Sequence, residues 1–310
     1  MLGIREIGIY IPEKKISNYT KIKDFNIDEY FIKEKIGFET LSIKHDQETV
    51  LDLCLKAFTN LKKKTCIGNI DCIVVITQNP DQRIPHTSAI IHKYLNLSKN
   101  CACFDISLGC SGYVYGLSNI ISFMKFNHLK NGLLFTCDPY SKIIDPKDKN
   151  TKLLFGDAAS VSYIGNNPLI IPEAFQFGTD GSGENHINCK ENKLSMNGRE
   201  VFNFAATIIP KHIENFLQEQ KLTKDNINLF LIHQGSKYII DTLLKRLQIE
   251  KYKIPFKANF YGNTVSSSIP ILLESIIKDK KDYNRILISG FGTGFSWGSA
   301  ILQIKEKNAN

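Results

Sequence analysis

The chain has 310 residues, 43% hydrophobic and 23% charged, the balance of an ordinary globular protein, which excludes a disordered or fibrous chain. A formal net charge of +8 points to an acidic partner, phosphates or an acidic protein. The lysines are scattered, as at Lys14, Lys15, Lys62, Lys63, Lys64, Lys280 and Lys281, with no basic stripe among exposed aromatics, so nucleic acid is not an expected partner.

The N-terminus, Met1 to Lys15, reads as a strand over 4–11 followed by a polar turn, without the basic start and apolar block of a signal peptide. No apolar stretch approaches the ~20 residues of a membrane span. The expected location is the cytoplasm, with no membrane partner. Strands predicted at 72–76, 101–106, 132–137, 161–164, 229–232 and 286–289 alternate with helices predicted at 49–61, 87–95, 110–124, 201–220, 237–247 and 269–277. Strands apolar on both faces that alternate with helices argue for an α/β protein with largely parallel sheets and covering helices.

An internal repeat supports two similar halves. DCIVVITQ at 71–78 is like NLFLIHQ at 228–234; FDISLGC at 104–110 parallels ANFYGN at 258–263; GLLFTC at 132–137 parallels RILISG at 285–290. Each half ends in a glycine-bearing hairpin. The expected division is 1–167 and 168–310, with a site where the strand ends of the halves meet.

The eight cysteines of a chain with no export signal read as free thiols. None is in a CxxC and no histidine has zinc-finger spacing, so no metal is expected. Cys110 stands apart. It follows a strand by a short turn and opens a helix, flanked by Gly109, Ser111 and Gly112. A helix N-terminus favours the thiolate, and small neighbours allow a tight elbow that presents the sulfur. His233 directly follows an apolar strand, and Asn263 stands in a Gly-Asn turn before a helix. Taken alone, His233 reads equally as a hydrogen-bonded core residue and Asn263 as a helix cap. Taken together, Cys, His and Asn fit two chemistries. In one, Asn orients His and His activates Cys, as in a cysteine protease. In the other, His and Asn donate to one thioester carbonyl and stabilise an enolate, while Cys holds the other acyl group. The glycine-rich GFGTGFSWGSA at 290–300 reads as a tight turn between strands whose N–H groups can serve an oxyanion. It is not a dinucleotide fingerprint, and no phosphate loop of the GxxxxGK[ST] type occurs.

These segments together resemble beta-ketoacyl-acyl-carrier-protein synthase III: DISLGCSGYVYGL around Cys110, HQ at 233–234, GNT at 262–264 with Ser267 and Pro270, and GFGTGFSWGSA at 290–300. FGDAA at 155–159, DGS at 180–182 and NGREVF at 197–202 extend the resemblance over nearly the whole chain. It implies a homodimeric thiolase-like fold of five αβαβα layers. It also implies that Cys110 accepts the acyl group, that His233 and Asn263 promote decarboxylation of malonyl-acyl carrier protein, and that the backbone N–H groups of Cys110 and Thr293 hold the acyl oxyanion. No tightly bound cofactor is implied; acyl-CoA or acyl-carrier thioesters are substrates. Pocket walls are expected from Phe155, Met196, Phe202 and, across the dimer, Ile84. The family's tryptophan and arginine that clamp adenine are not matched. The region reads DEYFIKEKIG at 28–37, so Tyr30 or Phe31 would have to stack there, and Lys149 and Tyr238 stand where basic residues are usual. These departures leave the acyl donor and the pathway open. The alternative reaction passes the acyl group to an alcohol or amine.

Overall fold

The computed structural model describes residues 1–279 and 283–305, so Lys280, Lys281 and positions 306–310 of the expected second half lie outside the described residues. The chain forms β1 (Leu2–Tyr10), the short pair β2 (Lys15–Ser17) and β3 (Thr40–Ser42), then β4 (Cys72–Ile76), β5 (Ala102–Ile106), β6 (Asn131–Cys137), β7 (Ala159–Asn166) and β8 (Ile170–Thr179). A small hairpin, β9 (Ile187–Lys190) with β10 (Lys193–Met196), precedes β11 (Leu229–Ile232), β12 (Arg285–Gly292) and β13 (Ser296–Ile304). The helices are α1 (Ile22–Phe25), α2 (Val50–Lys62), α3 (Thr87–Tyr94), α4 (Gly112–Phe126), α5 (Lys149–Lys152), α6 (Gly198–Glu219), α7 (Lys237–Leu247) and α8 (Ser268–Lys278).

The main sheet runs in the order β11-β12-β13-β8-β1-β7-β6-β4-β5. It is joined at its middle by a single residue pair, Ile4 with Ile170. Away from that bridge the order is β1, β7, β6, β4, β5 on one side and β8, β13, β12, β11 on the other. Parallel pairing is confined to β4 with β5 and β6, and to β11 with β12; every other pair in this sheet is antiparallel. The expectation of largely parallel sheets is therefore corrected. Where only Thr293–Phe295 separate β12 from β13, the chain has no room for the crossover that a parallel pair needs.

Period-two alternation sorts each inner strand between two apolar clusters. Cys72, Val74 and Ile76 face a central cluster with Leu229, Leu231, Ile286 and Ile288. Ile73 and Val75 face α2 and α3 on one outside, and Phe230, Ile232 and Leu287 face α6 and α7 on the other. The central cluster is filled by Tyr113, Val114, Leu117 and Ile120 of α4 and by Ile269, Leu272, Leu273 and Ile276 of α8. Two helices between two strand sets, with helices outside each, make the five αβαβα layers of a thiolase-like fold.

Two local departures have physical causes. Strand β8 lay hidden behind Pro172, which removes a ladder donor; it pairs with Leu302 at the register shift, where a bulge accommodates it. Segment 258–262, aligned in sequence with the end of β5, is not a strand. Its carbonyls at Asn259 and Tyr261 instead accept from the N–H groups of Glu39, Thr40 and Ser42.

Leu273 is fully buried in the central layer. Leu273→Ala is expected to lower stability by roughly 2–5 kcal/mol, read as a reduced urea midpoint with an unchanged slope.

Candidate active site

Helix α4 starts at Gly112 with Ser111 at its cap, which leaves Cys110 one residue outside it. The sulfur is thus not seated in the first helical turn as the spacing predicts. Burial pushes the Cys110 thiol well above its ordinary range, and the nearby Asp138 carboxyl adds to the shift. Desolvation therefore favours the thiol over the thiolate expected from sequence. Opposite it, β12 passes with no side chain to spare. A Cβ on Gly290 would meet the Cys110 carbonyl at 2.5 Å, and one on Gly292 would lie 2.9 Å from Cys110 Cβ and 3.1 Å from Sγ. Glycine is required at both positions so that the strand end and the elbow can touch.

His233 directly follows β11, where its N–H donates to the Ser289 carbonyl at 2.9 Å. The ring is buried, stands edge-on to Phe291 at 5.8 Å, and places Nδ1 2.7 Å from Ser268 Oγ. Either atom can be the donor in that contact; a Ser268 hydroxyl that donates to Nδ1 leaves the ring proton on Nε2. Burial lowers its pKa to about 3, so the imidazole is neutral. No hydrogen bond joins it to Cys110. A neutral imidazole beside a neutral thiol is not the ion pair of a cysteine protease.

Asn263 lies in the turn after 258–262. Its backbone pairs with Phe155, donating to the Leu154 carbonyl at 2.8 Å and accepting from Gly156 at 3.0 Å. Gly156 must lack a side chain, since a Cβ there would overlap the Tyr261 carbonyl. The Asn263 Oδ1 accepts the Val265 N–H at 2.9 Å, which assigns the other end of the amide, Nδ2, as a free donor pair. Val265 has φ +53°, a left-handed conformation that a β-branched residue adopts at a cost of about 1–3 kcal/mol.

The β12–β13 turn is tied to the cysteine elbow. Ser296 Oγ donates to the Thr293 carbonyl at 2.9 Å and lies 2.7 Å from Ser111 Oγ, so Thr293 and Cys110 are held as neighbours. Cys110, His233, Asn263 and Thr293 line one pocket of about 440 Å³. Phe155, Met196 and Phe202 line it as well. Ile84 does not; it is 88% exposed on the outer surface. At the mouth stand Phe31, Lys35, Lys149, Arg199 and Tyr238. Lys149 Nζ lies 5.0 Å over the Phe31 ring and Lys35 Nζ 4.3 Å over Tyr238, whose ring stacks on Phe202. Tyr30 points elsewhere, 62% exposed.

Sequence reasoning missed Asp138, Tyr140 and Ser268. Asp138 carried a signal, a charged residue at the end of an apolar strand; Ser268 lay in a run of three serines with nothing to single it out. Tyr140 is buried, lines the pocket and donates to Gln78 Oε1 at 3.0 Å.

The family model described as 3-oxoacyl-[acyl-carrier-protein (ACP)] synthase III matches residues 104–181, and that of its C-terminal part matches residues 217–304. Beta-ketoacyl-[acyl-carrier-protein] synthase III 1 of Halalkalibacterium halodurans is 32% identical, over 97% of this chain and 98% of that protein. The beta-ketoacyl-[acyl-carrier-protein] synthase III of Lactococcus lactis is 30% identical over the same shares. The crystal structure of a 3-oxoacyl-[acyl-carrier-protein] synthase III from Aquifex aeolicus superposes with TM-score 0.90 at 28% identity, covering 98% of this chain and 100% of that one.

Two outcomes are expected at this site. Gly292→Ala should push the elbow off β12, read as a lowered urea midpoint, and in the folded protein slow Cys110 alkylation by iodoacetamide about tenfold or more, measured by intact mass, because the new methyl crowds the sulfur. His233, whose pKa falls from 6.5 to about 3 on folding, contributes stability that is complete above pH 6.5 and is lost as the pH drops toward 3. Urea unfolding of His233→Gln should therefore show a flatter dependence on pH across that window.

Proposed function

The chain belongs to the 3-oxoacyl-[acyl-carrier-protein] synthase III family, and from that premise we propose how its residues divide the work of a condensing acyltransferase of fatty-acid biosynthesis. The Cys110 sulfur attacks an acyl thioester. The acyl carbon–sulfur bond breaks, the thiol proton leaves with the donor thiol, and an acyl-Cys110 thioester remains. Backbone N–H groups of Cys110 and Thr293 hold the oxyanion of each tetrahedral intermediate. Malonyl-acyl carrier protein then enters. His233 Nε2–H and the Asn263 Nδ2 amide donate to its thioester oxygen while the carboxylate departs as carbon dioxide and leaves an enolate. The enolate carbon attacks acyl-Cys110, the thiolate leaves and is reprotonated, and a 3-oxoacyl thioester is released.

One observation carries this reading: the Val265 N–H on Asn263 Oδ1 leaves the Asn263 Nδ2 as a donor, in the pocket that also holds the neutral His233 ring. A donor that stays neutral stabilises an enolate without taking a proton from the reaction. Transfer to an alcohol or amine would want a base facing the acyl carbon, and burial makes His233 a weak one.

The mouth supports a phosphate-bearing donor. Lys35, Lys149 and Arg199 beside Phe31 and Tyr238 suit the phosphates and arm of acyl-CoA or of an acyl carrier protein. Phe155, Met196 and Phe202 serve as walls around the acyl group. The exposed Ile84 and the position of β5 at the sheet's end support a homodimer in which Ile84 reaches the neighbouring pocket. The division into 1–167 with Cys110 and 168–310 with His233 and Asn263 belongs to the same reading, supported by the matching order of the first four strands on either side of the Ile4–Ile170 bridge, β1-β7-β6-β4 and β8-β13-β12-β11. No described helix is long and apolar enough to cross a membrane; the cytoplasm is the proposed location.

Intact mass after incubation with acyl-CoA and acyl-carrier panels should show one acyl group on the wild type and none on Cys110→Ala. His233→Ala and Asn263→Ala should still acquire the acyl mass and lose about 10²–10³-fold in carbon dioxide release from malonyl-acyl carrier protein. A wild type that consumes acyl donor without releasing carbon dioxide would overturn the condensation.

A further inference from the structure

Asp138 directly follows β6 and is fully buried, outside the pocket lining. Its carboxylate is satisfied by neutral donors alone: the Ser266 hydroxyl and N–H, the Gln78 N–H at 2.7 Å and, loosely, the Thr77 hydroxyl at 3.5 Å. Those donors come from two other loops. Ser266 follows the strained Val265 in the turn that carries Asn263. Gln78 extends the connection to a third loop, since its Oε1 accepts the Thr293 hydroxyl at 3.2 Å as well as that of Tyr140. A buried carboxyl bonded to two loops, with a third joined through Gln78, next to an outlier in backbone conformation, is more than the packing of a strand end requires.

We propose that Asp138 is a positioning residue for the decarboxylation step: it clamps the 263–268 turn through Ser266, so that the Asn263 amide stays aimed at the malonyl thioester oxygen. This rests on the condensation reading above.

Asp138→Asn and Ser266→Ala are compared with the wild type in two assays. One is carbon dioxide release from saturating malonyl-acyl carrier protein; the other is the acyl mass gained by Cys110 from an acyl-CoA panel, a step that does not use the Asn263 amide. Asp138→Asn is expected to slow carbon dioxide release about tenfold or more while KM changes less than about threefold, and to gain the acyl mass as the wild type does. Ser266→Ala should do the same. A folded Asp138→Asn protein with wild-type carbon dioxide release, or one that loses acylation and decarboxylation equally, overturns the proposal. If Asn at 138 prevents folding, wild-type release by Ser266→Ala overturns it alone. A wild type that gains acyl mass and releases no carbon dioxide sinks the condensation reading instead.

Discussion

The contact on which the site depends is the passage of β12 over the cysteine elbow, where Gly290 and Gly292 have no side chain and the Cys110 backbone and sulfur fill the space. Cys110 arrives from the strand set of residues 2–166, and the glycines from that of residues 170–304. The two sets share only the Ile4–Ile170 pair as a sheet contact. What brings them this close is the central layer. Helices α4 and α8 are apolar toward both sets, and neither could bury its surface against one set alone. Hydrophobic burial of those two helices is therefore also what fixes the distance between the Cys110 elbow and the Thr293 turn.

The same burial sets the protonation states. In water, a thiol and an imidazole would titrate within reach of neutrality. Dried, the thiol moves up and the imidazole moves down, so both rest uncharged. That state suits a reaction whose charge develops on substrate oxygens, because fixed neutral donors act strongly in a dry site and need no rearrangement. The ends of these groups that face away from the substrate are held by partners, while Asn263 Nδ2 and the buried Thr264 hydroxyl have none among the described residues. Ser268 serves His233, Val265 serves Asn263, and Ser296 serves the Thr293 turn. An unpaired polar group at this depth would cost more than the bond it replaces.

Much of this was readable in residues. Period-two and helical patterns placed the inner strands and long helices to within about three residues, because those segments are buried on defined faces and their burial is written in side-chain type. Cys110, His233 and Asn263 were legible as unusual residue types at element ends. The failures have one character: they concern groups whose importance lies in backbone geometry or in a partner distant in sequence. Val265 in a left-handed conformation breaks the preference of its own side chain, so no local pattern could announce it. Ser268 matters only because His233 lies 2.7 Å away. The thiolate expected at Cys110 failed because helix position was visible in sequence and the competing desolvation was not.

Floor and rim of the pocket differ in the same way. Each floor residue answers to several constraints at once: Gly292 to the elbow, Asn263 to Phe155 and Val265, His233 to Ser289 and Ser268. The rim residues Lys35, Lys149 and Tyr238 meet their neighbours through cation–ring and stacking contacts near solvent, each worth about 0.5–1 kcal/mol and tolerant of exchange. A rim of that kind can lose an aromatic clamp and gain a lysine without disturbing the chemistry beneath. Donor choice can therefore drift in this architecture while the condensation step cannot, because the atoms that would have to move for the second are shared between the strand sets and the atoms that set the first are not.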